Sequence, residues 1–381
     1  MKSPVCCRCP ADPVPPSARH RARQVGVALI TVLLIVFIAS IAATSLAALQ
    51  QRAIRRSTVL IHQQQARLYT LGAEQEAMIV LIRDLQNSET DHPGEEWANL
   101  PLTLPVEGGA IMARISDLQG CFNLNNLWRP APGELQAPTP NARRETPPGE
   151  GEKEQEPAEE GADATSKKPS PIPPKPAQPD KPAAKAALDP AQLKWLQRLL
   201  ERLELKPELA QAVADWIDPD SDPLFPDGAE DGEYTVLNPP YLAANRPLVS
   251  ASELRLLKGA DQEVYDKLAP YVCALPPGVP LNVNTALAPV LAALGDGLTL
   301  KDVERLLESR PEAGYKNVDE FLNAAKLTVD APVKAGLSVA SRYFLLRAEA
   351  RVGDGRALLY STLYRDENGV RVLRRSFGNQ D

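Results

Sequence analysis

An acidic stretch between residues 215 and 233 holds the residue types best suited to chemistry. It contains eight carboxylates in nineteen residues, with aspartates alternating at positions 218, 220 and 222. Pro219 and Pro223 favour an extended backbone there. Carboxylates on an irregular loop suit calcium, which takes about six to eight oxygen ligands in flexible geometry. The stretch therefore predicts a calcium site. Its candidate ligands are Asp218, Asp220, Asp222, Asp227, Glu230 and Asp231.

The alternative is a solvated acidic loop that holds no ion. Apolar residues within the stretch, among them Trp216, Leu224 and Phe225, favour the metal. If they anchor the loop, they draw the carboxylates together, and the repulsion between like charges then requires a counter-charge. The loop is not an EF-hand, because Pro223 stands where that motif needs glycine and Ala229 where it needs glutamate.

Catalysis and nucleic-acid binding have little support. The histidines, His20, His62 and His92, are scattered, and the sequence shows no nucleophile elbow, phosphate loop or zinc-ligand spacing. A hydrolase with paired carboxylates is disfavoured because the acids cluster with loop prolines rather than at strand ends. The formal net charge of -7 argues against a nucleic-acid partner, which needs a concentrated basic face.

The amino-terminal segment predicts a membrane anchor. Residues 1–24 carry five basic residues and one acid, and charge is then absent until Arg52. The apolar run over 27–49 is long enough to span a membrane, and its basic flank predicts a cytoplasmic amino end with the bulk of the chain outside. The alternative is a cleaved signal peptide with its site at 43–48.

The helical pattern continues beyond the anchor. Apolar residues recur at steps of three, four or seven as far as residue 85, which predicts an apolar face that packs on a globular body. That face comprises Ile54, Ile61, Leu68, Leu71, Met78, Ile82 and Leu85.

The cysteines divide between two environments. Three lie at positions 6, 7 and 9, and the remaining chain holds only Cys121 and Cys273. An exported body with two cysteines predicts a disulfide between them. The alternative is two buried free thiols.

Residues 129–190 are about one quarter proline, with charged residues and alanine between, and almost no large apolar side chains. Such a segment cannot bury enough surface to offset its chain entropy, and we expect it to be disordered. A passive spacer is the usual role of this composition, and a tether for an envelope partner is the alternative.

The remaining chain predicts an α+β body. Antiparallel strands are predicted at Gly109–Leu118 and at three segments within 341–381 that turn-forming residues separate. We expect the long helix to pack on these strands. The strands within 341–381 and residues 50–128 would then form one body. Residues 191–340 predict a large inserted α-helical domain. Two stretches in it, beginning at Ser250 and Asn284, each read as a helix, a glycine-bearing turn and a second helix.

The second of these units resembles helix-hairpin-helix modules, which hold a DNA backbone. The hairpin here is Leu294–Gly297 with acids around it, so the resemblance implies shared architecture without DNA contact. A membrane-anchored periplasmic binding module of this kind, outside any filament, is the alternative to the function considered next.

The leader resembles that of prepilins, in which a basic cytoplasmic segment ends in glycine and a dedicated peptidase cuts before the apolar helix. The resemblance places the cut between Gly26 and Val27 and implies methylation of the new terminus. It gives Thr31 the fifth mature position, where the family usually has glutamate. A carboxylate in an apolar segment is costly unless paired. A subunit that leads a filament has no preceding amine to pair with it.

Absence of that glutamate is a feature of the K-type minor pseudopilins of type II secretion systems. Further stretches look like the same family in the same order: GCFNLNNL from Gly120, DWIDPDSDP from Asp215, GAEDGEY from Gly228, NPPYLAANRPL from Asn238 and LNVNTA from Leu281. The resemblance implies an inner-membrane protein, not an enzyme, that caps a periplasmic pseudopilus with the I- and J-type minor pseudopilins and supports export of folded proteins. It also implies calcium sites and processing by prepilin peptidase.

Overall fold

A computed structural model describes residues 27–100, 103–129 and 187–378. The predicted leader over 1–26, including Gly26, and residues 130–186 of the predicted disordered segment lie outside the described residues. The chain divides into two compact units, one ending at Ile61 and one beginning at His62.

Helix α1 spans Val27–Asn87. Its part in the first unit carries exposed large apolar side chains such as Leu33 and Phe37. Its most apolar window has a mean hydropathy of 2.6, and among the described residues it is the one helix long and apolar enough to cross a membrane. Thr31 lies in this part, where its hydroxyl donates to the Ala28 carbonyl at 2.9 Å.

The second unit contains a five-stranded antiparallel sheet in the order β1, β2, β9, β10, β11. Its carboxyl-terminal strands are joined by tight turns, as the glycine-bearing sequences between them predict. The predicted antiparallel sheet is confirmed. The strands are β1 Leu104–Val106, β2 Gly109–Asp117, β3 Phe122–Asn123, β4 Trp128–Arg129, β5 Ala187–Leu188, β6 Val272–Cys273, β7 Leu281–Asn282, β8 Leu337–Ser338, β9 Tyr343–Val352, β10 Gly355–Asp366 and β11 Gly369–Phe377.

The end of α1 packs on one face of this sheet, as predicted, but most of its buried positions are not the predicted ones. The buried positions are Ala66, Ala73, Ala77 and Leu81, which meet residues such as Phe344. The alanine side of the helix faces the sheet because small side chains allow a close approach of helix and sheet. Of the predicted positions, Leu71 and Met78 are partly buried and pack at the edge of this core, whereas Ile54, Ile61 and Leu68 are exposed.

The predicted helical insertion is confirmed and forms its own core around residues such as Trp195, Leu199 and Val290. Asp189 caps the first inserted helix through the Ala191 amide, with Pro190 in its first turn. Strands β4 and β5 pair just before it, so strand structure resumes at residue 187 and not at the predicted boundary of 190. The helices are α2 Pro190–Arg202, α3 Leu209–Ile217, α4 Asp231–Tyr234, α5 Gln262–Leu268, α6 Ala288–Ala292, α7 Leu300–Glu308, α8 Val318–Ala325 and α9 Ala331–Ala335.

The segment after β2 joins the sheet to the insertion. A disulfide links Cys121 and Cys273, whose Cα atoms are 5.9 Å apart. The Asn125 amide donates to the Leu248 and Leu275 carbonyls at 2.9 and 2.8 Å, and its oxygen accepts from the Leu248 amide at 2.7 Å. Buried amide groups must be satisfied in this way, which explains the asparagine-rich sequence here and fixes the loop that precedes Leu248.

Candidate metal centre

The acidic stretch begins where α3 ends. The Asp218 amide closes that helix by donating to the Ala214 carbonyl at 3.0 Å, and the chain then follows an irregular path until α4 begins at Asp231. Trp216 is buried and packs edge-on against Tyr234, with ring centroids 5.2 Å apart. Aromatic packing therefore holds the two ends of the acidic loop together.

Three carboxylates meet inside this loop. One oxygen from each of Asp218, Asp220 and Glu230 lies within 4.8 Å of the others. Asp218 is 4% exposed and Glu230 is 5% exposed, whereas Asp220 is exposed. Within the described residues, Asp218 Oδ1 and both oxygens of Glu230 are buried without a hydrogen-bond partner. Buried carboxylates are normally paired, so these oxygens lack a cation or donor.

The sequence did not single out Asn245 as a ligand, although it lies in one of the family-like stretches. Its side-chain amide donates to the Asp220 carbonyl at 2.9 Å. Its Oδ1 is buried and has no hydrogen-bond partner in the described part of the chain. Its backbone φ of 46° lies in the left-handed region, which asparagine tolerates better than most residues. A neutral side chain outside the acidic run gives no signal in a search for carboxylates.

Asp215 supports the loop and does not join the cluster. Its carboxylate accepts from the Leu224 amide at 3.1 Å and from the Ala229 amide at 2.7 Å. Gly228 lies against it, and a Cβ at that position would come within 2.2 Å of Asp215 Oδ2. Glycine is therefore needed where the backbone approaches this buried acid.

The other predicted ligands lie elsewhere. Asp222 and Asp227 have exposed side chains. The Asp231 carboxylate accepts from the Ala243 amide at 2.9 Å, which ties α4 to the segment that carries Asn245. Phe225, predicted to be an apolar anchor, is 92% exposed. The structure thus brings together three of the six predicted carboxylates.

The electrostatics of the cluster favour a bound cation. Burial raises the pKa of Asp218 to about 7, with the charges of Asp220 and Asp215 adding to the effect. Burial also raises the pKa of Glu230 to about 7, and Asp218 is its strongest charged neighbour. A divalent cation would relieve the repulsion and supply the missing partner. The donor atoms are all oxygens, which suit a hard cation such as calcium.

In a second acidic cluster, an arginine side chain neutralises the aspartate carboxylates. Oxygens of Asp84, Asp91 and Glu95 lie within 4.8 Å of one another. Here Arg365, itself buried, contacts Asp84 at 2.7 Å and Asp91 at 2.5 and 2.6 Å. Asp91 also accepts from the Ser341 amide at 2.6 Å. Glu95 Oε1 is buried without a hydrogen-bond partner in the described residues and lies 3.6 Å from His92 Nε2, but the two aspartates have their counter-charge in Arg365.

Comparisons with known proteins agree with the architecture. Family models described as type II secretion system protein K match residues 120–277 and 281–340. Type II secretion system protein K of Pseudomonas aeruginosa is 35% identical over 94% of this chain and 94% of its own length. The Aeromonas hydrophila protein of the same name is 33% identical over 96% of this chain and 100% of its own length.

A solved structure also matches. It is that of the GspK–GspI–GspJ complex from the enterotoxigenic Escherichia coli type 2 secretion system. The matched chain is 29% identical, with a TM-score of 0.63 over 85% of this chain and 100% of that chain. Fold and sequence thus agree over most of the length. The chain belongs to the type II secretion system protein K family, and it is a minor pseudopilin, a structural component of the secretion machinery and not an enzyme.

Proposed function

We propose that this chain assembles with I- and J-type minor pseudopilins at the tip of a periplasmic pseudopilus and so supports export of folded proteins across the outer membrane. The observation that carries this is the outward face of α1. Leu68 is 66% exposed and Ile79 is 50% exposed, on a helix that already buries its alanine face against the sheet. Partner helices that covered these side chains would gain about 1.5–3 kcal/mol for each one fully buried.

The similar solved complex supports this choice of partners, because its title joins a K-type protein to GspI and GspJ. The inserted helical domain would then occupy the space that a following subunit needs, so the chain caps the filament. The second helix pair of that domain does not support nucleic-acid binding. Asp296, in the turn, forms an ion pair with Arg198 of α2, which places an acid where a phosphate would lie.

The inserted domain contains two helix pairs, each with a glycine-bearing turn. One comprises residues 251–256 and α5, with Gly259 between them, and the other comprises α6 and α7, with Gly295 and Gly297 between them. We propose that they are duplicated helix-hairpin-helix units that serve as a rigid cap.

We propose an inner-membrane anchor with a cytoplasmic amino end, cleaved by prepilin peptidase between Gly26 and Val27. Thr31 supports a leading position in the filament, because its hydroxyl is satisfied within its own helix. Unlike a carboxylate in an apolar segment, such a residue needs no ion pair with the amine of a neighbouring subunit.

We propose calcium as the ligand of the acidic loop, held by Asp218, Asp220, Glu230 and the Asn245 side-chain oxygen. The buried oxygens without partners support this assignment. The ion would neutralise much of the charge of three carboxylates and fix the loop between α3 and α4. Its role would be structural, in keeping with a capping domain.

Assembly can be tested by mixing the detergent-solubilised chain with purified I- and J-type partners and measuring the complex by size-exclusion chromatography with light scattering. We expect Leu68→Asp with Ile79→Asp to weaken assembly by at least tenfold, because each buries a charge in the helix contact. Glu76→Arg is the matched control on an exposed site of the same helix. Assembly that survives the double substitution would contradict the proposal.

Processing can be tested by mass spectrometry of the amino terminus after membrane extraction. A terminus at Val27 is expected. An intact Met1, or a cut between residues 43 and 48, would argue against the assembly helix and favour a simple anchor or signal peptide.

A further inference from the structure

The sheet has a second face that α1 does not cover. On it, directly opposed residues of neighbouring strands form four rows, which we call the arginine face. Its exposed positions include Met112, Arg114, Arg347 and Arg351. The rows are Ala110, Arg351 and Arg356; Met112, Glu349 and Leu358; Arg114, Arg347, Tyr360 and Ser376; and Ser116, Leu345, Thr362 and Arg374.

One buried carboxylate organises the positive charge of this face. Glu349 accepts from Arg351 and Arg356 at 2.9 Å each and from Arg347 at 3.1 Å. These contacts, that of Arg356 first, lower the pKa of Glu349 to about 2, so the group stays ionised under ordinary conditions. The four rows hold five arginines against this one acid, although the whole chain has a net charge of -7.

The guanidinium groups are positioned but still accessible. The side chains of Arg347, Arg351 and Arg356 are 44%, 64% and 58% exposed. Each guanidinium has five N–H donors in a fixed fork, so the contacts to one carboxylate leave donors that point to solvent. Because these side chains are already ordered, a partner carboxylate would bind them at a lower entropic cost.

Apolar side chains lie between the charges. Met112 is partly exposed beside Glu349, and Leu358 lies on its other side. Tyr360 is half-buried and accepts from Arg347 at 3.4 Å. The four rows contain no lysine and no aspartate. Enrichment in arginine, tyrosine and methionine with depletion of lysine and aspartate is the composition of protein interfaces.

A cavity opens at one end of the arginine face. Its volume is about 460 Å³, and its lining includes Leu345, Thr362 and Arg374 of the fourth row. Val272 and Leu275 of the insertion also line it, as do the disulfide-bonded Cys121 and Cys273. The cavity is large enough for an aromatic or branched side chain.

We propose that the arginine face and its cavity bind an acidic, extended segment of a partner polypeptide, with carboxylates on the arginines and one apolar side chain in the cavity. Successive rows are two residues apart along each strand, about 6.8 Å. Alternate side chains of an extended peptide have the same spacing, so one such segment can contact several rows.

The same positive charge would attract nucleic acid or anionic lipid, but neither fits the whole surface. A phosphate backbone has no apolar side chain for the cavity, and it would meet the Glu349 carboxylate at the centre of the arginines. Surfaces that bind anionic lipid headgroups use clusters of basic residues, and a headgroup has no apolar side chain to fill this cavity. The apolar residues and the cavity therefore favour a polypeptide.

The test uses the detergent-solubilised full chain and a fluorescein-labelled peptide with one central phenylalanine flanked by three glutamates on each side. Binding is followed by fluorescence anisotropy. We expect saturable binding that Arg114→Glu weakens by at least tenfold, since this substitution reverses one exposed charge without touching the Glu349 contacts. Replacing the phenylalanine of the peptide by alanine should weaken binding at least fivefold, and Thr362→Trp, which fills the cavity, should remove that difference.

Lys301→Glu is the matched charge reversal on an exposed site of α7, and it should leave peptide affinity unchanged within about twofold. Melting curves establish that each variant is folded. Equal affinity of wild type and Arg114→Glu for the peptide would overturn the proposal. So would a single-stranded oligonucleotide, or vesicles of anionic phospholipid, that bound the face as tightly as the peptide at the same ionic strength.

Discussion

The two buried acidic clusters contain the same residue types and solve the same problem differently. Asp84 and Asp91 share the buried Arg365, which contacts both. Asp218 and Glu230 have oxygens without a partner in the described residues. Burial raises the pKa of both Asp84 and Asp218 to about 7, so that shift alone does not distinguish a metal site from an ion-pair network. The distinguishing feature is whether the protein supplies its own cation.

The largest effect should follow from removing that internal cation. Arg365→Met leaves two buried carboxylates without their charged partner, and we expect a loss of about 3–5 kcal/mol in the free energy of unfolding. The loss should be greater at pH 8 than at pH 5, because protonation of the two acids relieves it. Chemical denaturation at both pH values measures this. Arg342→Met, at an exposed neighbouring arginine, should change stability by less than about 0.5 kcal/mol.

Removing the acids of the loop should have an effect that depends on calcium. With calcium at one hundred times its dissociation constant, the wild type gains about 2.7 kcal/mol, which Asp218→Asn with Glu230→Gln should lose. In chelator the same variant should be at least as stable as the wild type, because two uncompensated buried acids are gone. Denaturation with and without calcium tests both expectations, with Asp222→Asn and Asp227→Asn as exposed controls. A variant less stable than the wild type in chelator would contradict this account of the loop.

The contribution of Asn245 should be smaller. We expect Asn245→Gly to weaken calcium binding by about tenfold, equivalent to about 1.4 kcal/mol, because one neutral oxygen ligand is lost. Glycine is the appropriate replacement because the backbone φ is positive at this position. Isothermal titration calorimetry measures the affinity. Unchanged affinity would remove Asn245 from the ligand set.

A further effect is confined to acidic pH and concerns Asp117, whose pKa burial raises to about 6. Its folded pKa is above the unfolded value of about 3.9, so the folded state favours the protonated acid. The acid therefore makes stability fall as pH rises from about 4 to about 6. Asp117→Asn should remove about 1–3 kcal/mol of this dependence. An unchanged pH profile would show that the carboxylate titrates alike in both states.

Sequence patterns predicted the elements of this fold better than their contacts. Alternating residues and turn glycines identified the last three strands, and apolar periodicity identified α1. That helix has two apolar sides, however, and periodicity does not reveal that the alanine side meets the sheet. The larger residues, such as Leu68, remained as the better candidates for partner contact.

At the candidate metal site, too, the sequence revealed local patterns but not contacts between distant residues. A local run of carboxylates was visible, and it supplied Asp218, Asp220 and Glu230. Asn245 is neutral and lies outside that run, so it gave no signal. The pairing of Arg365 with Asp91 joins residues 274 positions apart, and only the fold brings them together.

The most direct test of the account is the melting temperature of the full wild-type chain in chelator and in millimolar calcium. Calcium that binds only the folded state must raise stability, and a gain of about 2.7 kcal/mol corresponds to about 5–10 °C for a body of this size. We predict a rise of this order that the Asp218→Asn with Glu230→Gln variant does not show. Identical melting temperatures of the wild type in the two conditions would contradict the claim that the acidic loop relies on an external cation.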